Sequence, residues 1–255
     1  MPSYNQNPSP NSRPKAPSLD YLNGVRAKFH LPAEPEGVKK IVDLVKGKDS
    51  SSMQEIVRII DTDHMVSQRL IKMAYPKAAA RQGATVQMAT SRLGVNRVIV
   101  VMVGELLSQA VIETFETMVS MTLEKDDSPS ISLGDHYLLT GTVKFSGKTN
   151  GIVSLAFSPH LTLLLCARLM DGTMDDKYPP EVTHDVVGEI VNIITGNLQS
   201  RLCDAGFPSE MGLPEVKYVP TLPKDTVRGG SSDQFFFRHS IYSLAAHLSV
   251  DPKSS

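Results

Sequence analysis

Tryptophan is missing from the 255 residues, and only 7 Tyr and 8 Phe make up the aromatic complement. So thin an aromatic supply argues against a surface built to stack bases or sugar rings. Excess charge of either sign is lacking too: 26 Lys and Arg face 27 Asp and Glu, a net charge of −1. No general field therefore draws the chain to nucleic acid or to an anionic membrane. Cysteine is scarce. Cys166 and Cys203 form no CxxC spacing and no disulfide framework. Both stand among apolar neighbours, which predicts two buried free thiols and a reducing compartment. Long apolar runs are absent: Val98–Val103 and Leu163–Cys166 fall far short of the roughly 20 residues of a bilayer span. The opening residues lack a charged stretch followed by an apolar one, so no signal peptide is read. These absences predict a soluble, cytoplasmic protein with no nucleic-acid partner and no membrane partner. The 7 histidines are scattered and have no Cys companions, which gives no zinc pattern.

What the chain does have changes character along its length. Residues 1–26 are rich in Pro, Ser and Asn, too polar to bury a core, and are read as a tail. Residues 27–102 follow helical spacing. Val38, Ile41, Val42 and Val45 form one apolar face; Met53, Ile56, Val57 and Ile60 follow a Ser50-Ser51-Ser52 start signal. Asp63 opens a further helix bearing Val66, Leu70 and Met73, and Thr85 opens another that Gly94 is placed to end. Residues 103–255 are mixed. A helix at about Val98–Met121 leads into them. Tyr137–Phe145 and Ile152–Phe157 flank a Gly- and Asn-containing turn, the pattern of a β-hairpin. Pro159 starts one helix and Pro179-Pro180 precedes a longer one, about Val182–Leu202. Extended runs at Glu215–Pro220, Gln234–Tyr242 and Leu244–Val250 close the chain. Strands grouped together, rather than alternating with helices, imply an α+β fold with a largely antiparallel sheet, preceded by a small all-α unit.

The long helix carries the most chemistry. At 100° per residue, Asp185, Glu189, Asn192, Gly196 and Gln199 fall in one stripe, while Val187, Ile190, Val191, Ile194 and Leu198 fall opposite. A strong apolar face anchors the helix, so the polar stripe points outward in fixed geometry. An acid and an amide stand one turn apart in it, with no Lys or Arg among them. Gly188 and Gly196 flank the pair although each costs roughly 1 kcal/mol relative to Ala in a helix. Small residues on an exposed ridge let a partner's backbone come close. On spacing alone an ordinary solvated face is the commoner reading, since Glu and Asn at this separation arise by chance about once in a few hundred residues.

A resemblance alters that weighting. Gly188-Glu189-Ile-Val-Asn192-Ile-Ile-Thr-Gly196-Asn-Leu198 resembles the GExxNxxxGxL signature of the CheC/CheX/FliY family of chemotaxis phosphatases. The hairpin Gly141–Ser158, the helix closing at Met170-Asp171-Gly172 and the final strand His247–Val250 are similar to that family's elements in the same order. The likeness is nearer to CheX than to CheC. CheC-type proteins generally carry two such helices, whereas the pseudo-equivalent helix here reads Gly104-Glu105-Leu-Leu-Ser108, with Ser in the place of Asn. The resemblance implies one active site per chain, which removes the phosphoryl group from the phosphorylated receiver of a two-component response regulator. In that implied role Asn192 orients the attacking water and Glu189 docks the receiver, with Asp185, Gly188, Gly196 and Gln199 as partner contacts. It implies no cofactor of the chain's own, Mg2+ being supplied by the receiver. It also implies a homodimer paired through sheet edges, where Phe235-Phe236-Phe237 are placed to cover one. A non-catalytic adaptor that grips a receiver without hydrolysis is the alternative.

The preceding helical part resembles the start of an HDOD domain. The matching pieces are Leu31-Pro32-Ala-Glu-Pro35, Ile59-Ile60-Asp-Thr-Asp63, Arg69–Ala74 and Ala89–Gly94. It departs from that family at His64, where Pro is usual, and at Tyr75, where Asn is usual, and it has about half the length. A helical accessory without chemistry is implied. His184-Asp185 also spells the dipeptide of metal-dependent HD hydrolases, but no further ligands stand at helical spacing around it, and it lies in the strand-bearing half.

Overall fold

Residues 57, 58, 60, 61, 64–77, 82–126, 138–147, 150–204, 208–220 and 231–251 are described by a computed structural model. The tail and the helix expected around Val38–Val45 lie outside these residues, as does most of the helix expected at Met53–Ile60.

The helices begin and end where local chemistry directs. α1 (His64–Ala74) buries Val66 and Leu70, the positions its period selects. α2 (Val86–Leu93) is capped by the Thr85 hydroxyl, which accepts from the Met88 N–H at 3.2 Å, and stops at Gly94, whose φ of 76° suits glycine. α3 (Val95–Met118) then runs unbroken across residues 102 and 103, where the sequence pattern places a domain border. It ends with Ser120 at φ 52° while the Met121 N–H turns back to the Phe115 carbonyl. By length and composition, Asn96–Met118 is apolar enough to cross a membrane, although it holds no long uninterrupted run. Burial inside the protein accounts for 78% of that window: strand, helix and the α1–α2 pair each take a side of it.

After α3 come β1 (Glu124–Lys125), β2 (Leu138–Gly147) and β3 (Asn150–Phe157). They are followed by α4 (Pro159–Leu169) and α5 (Pro180–Asp204), then β4 (Ser209–Met211), β5 (Glu215–Val219), β6 (Ser231–His239) and β7 (Tyr242–Asp251). The α+β expectation holds. The strands form one seven-stranded sheet in the order β1-β6-β7-β3-β2-β4, with β5 also on β2, and each pairing is antiparallel. The expected β2–β3 hairpin forms, with Gly141 opposite Leu155 and Val143 opposite Val153. β7 is an interior strand, between β6 and β3. Phe235 and Phe237 belong to the core, 2% and 0% exposed, and Phe236 packs with Leu138, Ala156, Ala245 and Val219 in a second small cluster.

α5 lies directly on the sheet because of one missing side chain. A Cβ on Gly141 would stand 2.5 Å from Cγ2 of Val191, so only glycine there lets the helix approach β2 this closely. Val187, Ile190, Val191, Ile194 and Leu198 are wholly buried, as the helical period requires. α3 flanks α5: the Asn197 amide donates to the Thr114 hydroxyl at 3.1 Å, and the buried Arg201 reaches Gln109 and pairs with Glu113. Cys166 is buried, and burial pushes its thiol up. Cys203, expected to be buried as well, is exposed. It stands four residues beyond Gln199 and so shares the phase of the polar stripe, which its apolar neighbour Leu202 hid.

Candidate functional site

The outward ridge of α5 is held by contacts on both flanks. Near its start, Pro179 and Pro180 set the entry, the Thr183 N–H returns to the Pro179 carbonyl, and the Thr183 hydroxyl lies 3.2 Å from that of Tyr218 on β5. The His184 ring rests on Tyr218 with centroids 5.3 Å apart. This half-buried histidine is therefore packed against the edge strand rather than directed at solvent. Toward the far end the Gln199 amide donates to the Ser209 carbonyl of β4 at 2.7 Å. A Cβ on Gly188 would touch only Cγ2 of Val216, at 3.5 Å. Strands β4 and β5 thus bind one flank of the helix, and α3 the other.

Between these fastenings the ridge is bare. Asp185, Glu189, Asn192 and Gly196 are exposed, and a Cβ on Gly196 would meet nothing within 4 Å. Glu189 and Asn192 are one turn apart on the same face, neighbours at about 5–6 Å between Cβ atoms. The structure brings Asp185, Glu189, Asn192 and Gly196 onto one open face with Gly188 half-buried at its margin. Gln199 shares the stripe, but it is half-buried and its amide is engaged by β4. An ionised carboxylate accepts, and an amide both donates and accepts, so the pair offers a socket for a cation beside a group able to hold water. Among the described residues no three of His, Cys, Asp and Glu come together as metal ligands, His184 and Asp185 included.

The corresponding stretch of α3 presents nothing comparable. Ser108 is fully buried and its hydroxyl donates to the Gly104 carbonyl at 2.8 Å. Glu105 is paired with Lys125 of β1. The Phe235 ring lies over Gly104, where a Cβ would come within 2.0 Å of it. Phe235 comes from strand β6, remote in sequence, and no local pattern announces its packing on Gly104.

Similarity to known proteins covers part of the chain. Residues 139–221, which contain the ridge, match the family model for chemotaxis phosphatase CheX. Solved structures with a similar fold include chemotaxis protein CheX from Vibrio vulnificus, 20% identical with a TM-score of 0.51, covering 58% of this chain and 96% of that one. A CheC-like superfamily protein from Shewanella sp. PV-4 is 18% identical with a TM-score of 0.47, covering 58% of this chain and 97% of that one. CheX in a CheX–CheY–BeF3–Mg2+ complex from Borrelia burgdorferi is 18% identical with a TM-score of 0.48, covering 57% and 96%. A search of curated proteins finds no match. The CheX-like character implied by the Gly188–Leu198 signature is borne out by the family match over its residues and by the fold.

Proposed function

We propose that this chain is a phosphatase of phosphorylated receiver proteins in two-component, chemotaxis-type signalling, working in the cytoplasm through one site per chain. The observation that carries the reading is the exposure of Glu189 and Asn192 together on a ridge fixed along both flanks, within the segment that matches the CheX family. Inserted against a receiver, the ridge brings its two functional groups in at once.

A receiver stores phosphate on an aspartate as an acyl phosphate, whose leaving group is already good, and its own Mg2+ and lysine stabilise the departing charge. What remains is to place a water in line with the P–O bond, which is a matter of position rather than of acid or base strength. The Asn192 amide accepts one hydrogen bond from that water and donates another toward the phosphoryl oxygens, without changing protonation. Water oxygen bonds to phosphorus, the bond from phosphorus to the aspartyl oxygen breaks, the carboxylate keeps the electron pair, and the water's proton leaves with inorganic phosphate or solvent. Glu189 sets the docking pose by gripping a receiver cation, its active-site lysine being the group of suitable charge. Asp185 and Gly188 lie along the same contact, and Gly196 lets the receiver backbone close on the helix. Gln199 contributes by pinning β4 and keeping the ridge straight. The chain needs no metal of its own in this scheme.

The test is the decay of a phosphorylated receiver with and without the chain. Faster decay with the unsubstituted chain, lost in the Glu189→Ala/Asn192→Ala double variant, is the expected result. Receiver binding with no change in decay would replace this reading by that of an adaptor.

A further inference from the structure

Strand β1 covers only Phe237 and Arg238 on the outer side of β6, and the stretch before them is closed by groups that do not come from a strand. In an antiparallel strand the N–H and C=O of alternate residues point to one side, and in β6 those of Ser232, Gln234 and Phe236 point away from β7. The Ser232 carbonyl accepts from Nη1 of Arg97, on α3, at 2.6 Å. The Gln234 carbonyl accepts from Nη2 of Arg69, on α1, at 2.8 Å. The Gln234 N–H donates to Oδ1 of Asp233 at 2.9 Å, and Oδ2 of Asp233 is paired with the same Arg69 at 2.7 Å. The Phe236 carbonyl accepts from the Asp126 N–H at 2.8 Å, after which β1 pairs with Phe237 and Arg238. The Arg69 guanidinium also lies 4.0 Å from the centroid of the Phe235 ring, which fixes it in place. From Ser232 to Phe236 each outward carbonyl is occupied.

We propose that α1 and the start of α3 serve as an edge cap on β6, holding the position that a second copy of the chain would otherwise take. An open strand edge is a template for another strand, and one that carries Phe235-Phe236-Phe237 is a strong one. The matching occupant is a second β6, since two copies meet antiparallel about a two-fold axis and each meets what it presents. Two arginine forks supply from helices the donors that such a strand would bring, and the Asp233 carboxylate supplies an acceptor. The sheet-edge homodimer implied by the family resemblance is thereby closed off at β6, and the helical part preceding the CheX-like segment acquires a task that needs no ligand. This inference stands whether or not the ridge on α5 is catalytic.

The experiment is light scattering on the full chain over a concentration series, with far-UV circular dichroism as the control of folding. Arg69→Ala/Arg97→Ala is expected to raise the mass toward twice that of the unsubstituted chain. Adding Ser232→Pro, which removes an outward N–H and so bars a ladder at the edge, is expected to restore the original mass. An unchanged mass for the folded double variant overturns the proposal. So does a rise that Ser232→Pro leaves in place, because the association then uses another surface. If the double variant loses its helix signal, Arg69→Gln/Arg97→Gln, which removes both guanidinium groups and keeps much of each aliphatic stem, is read by the same two criteria.

Discussion

Helices α3 and α5 carry nearly the same phrase, Gly-Glu-x-x followed by a small polar residue, and the fold uses it in opposite ways. On α5 the phrase is the open ridge: Glu189 and Asn192 face solvent, and the nearest atom to a Cβ on Gly188 is a valine methyl at an ordinary contact distance. On α3 it is the floor of a packed junction: Ser108 is buried, Glu105 is tied to Lys125, and Gly104 admits the Phe235 ring. The glycines show the difference most directly. Gly104 is required by what lies against it, whereas among the described residues nothing packed on the helix requires glycine at 188 or 196. A residue that lowers helix stability without serving the fold suits a ridge that another molecule approaches, which is the role proposed for α5.

Substitutions can break or sharpen this contrast. The largest effect on stability is expected on α3: Gly104→Ala forces the Phe235 ring aside, and overpacking of this kind costs about 1–3 kcal/mol, to be read from the urea midpoint. Glu189→Ala on α5 should leave the urea midpoint alone and raise the concentration of chain needed for half-maximal receiver dephosphorylation by about tenfold, ~1.4 kcal/mol of docking. Smaller again is Gly196→Ala, with open space around the added methyl. It should stabilise the protein by about 0.5–1 kcal/mol through helix propensity alone. A loss of stability at Gly196 matching that at Gly104 would mean that the two helices do not differ in the way described.

Much of this was legible in the sequence because it rests on local rules. Thr85 and Gly94 bound α2 as caps do, the Gly- and Asn-containing turn marks the β2–β3 hairpin, and helical phase alone puts Glu189 and Asn192 opposite Val187, Ile190 and Val191. The illegible parts depend on partners remote in sequence or on very short elements. β1 has two residues and β4 three, too few for a period to show. The β6–β7 turn falls at Ser240 and Ile241, with Ser240 at φ 55° and neither Gly nor Pro to mark it, so the sequence pattern sets the strand bounds some residues away from those observed. Gln199 looked like a ridge residue by phase, but β4 engages its amide. Cys203 is the reverse case: helical phase puts it on the exposed side, and its apolar neighbour Leu202 masks that.

The most direct measurement compares the two helices in a single assay. The decay of a phosphorylated receiver is followed at saturating chain, with Asn192→Ala and Ser108→Ala beside the unsubstituted protein. Loss of a positioning group is expected to slow decay by about 10²-fold in Asn192→Ala, and Ser108→Ala is expected to match the unsubstituted rate. An unaltered rate in Asn192→Ala, or an equal loss in Ser108→Ala, would contradict the assignment of the chemistry to the α5 ridge.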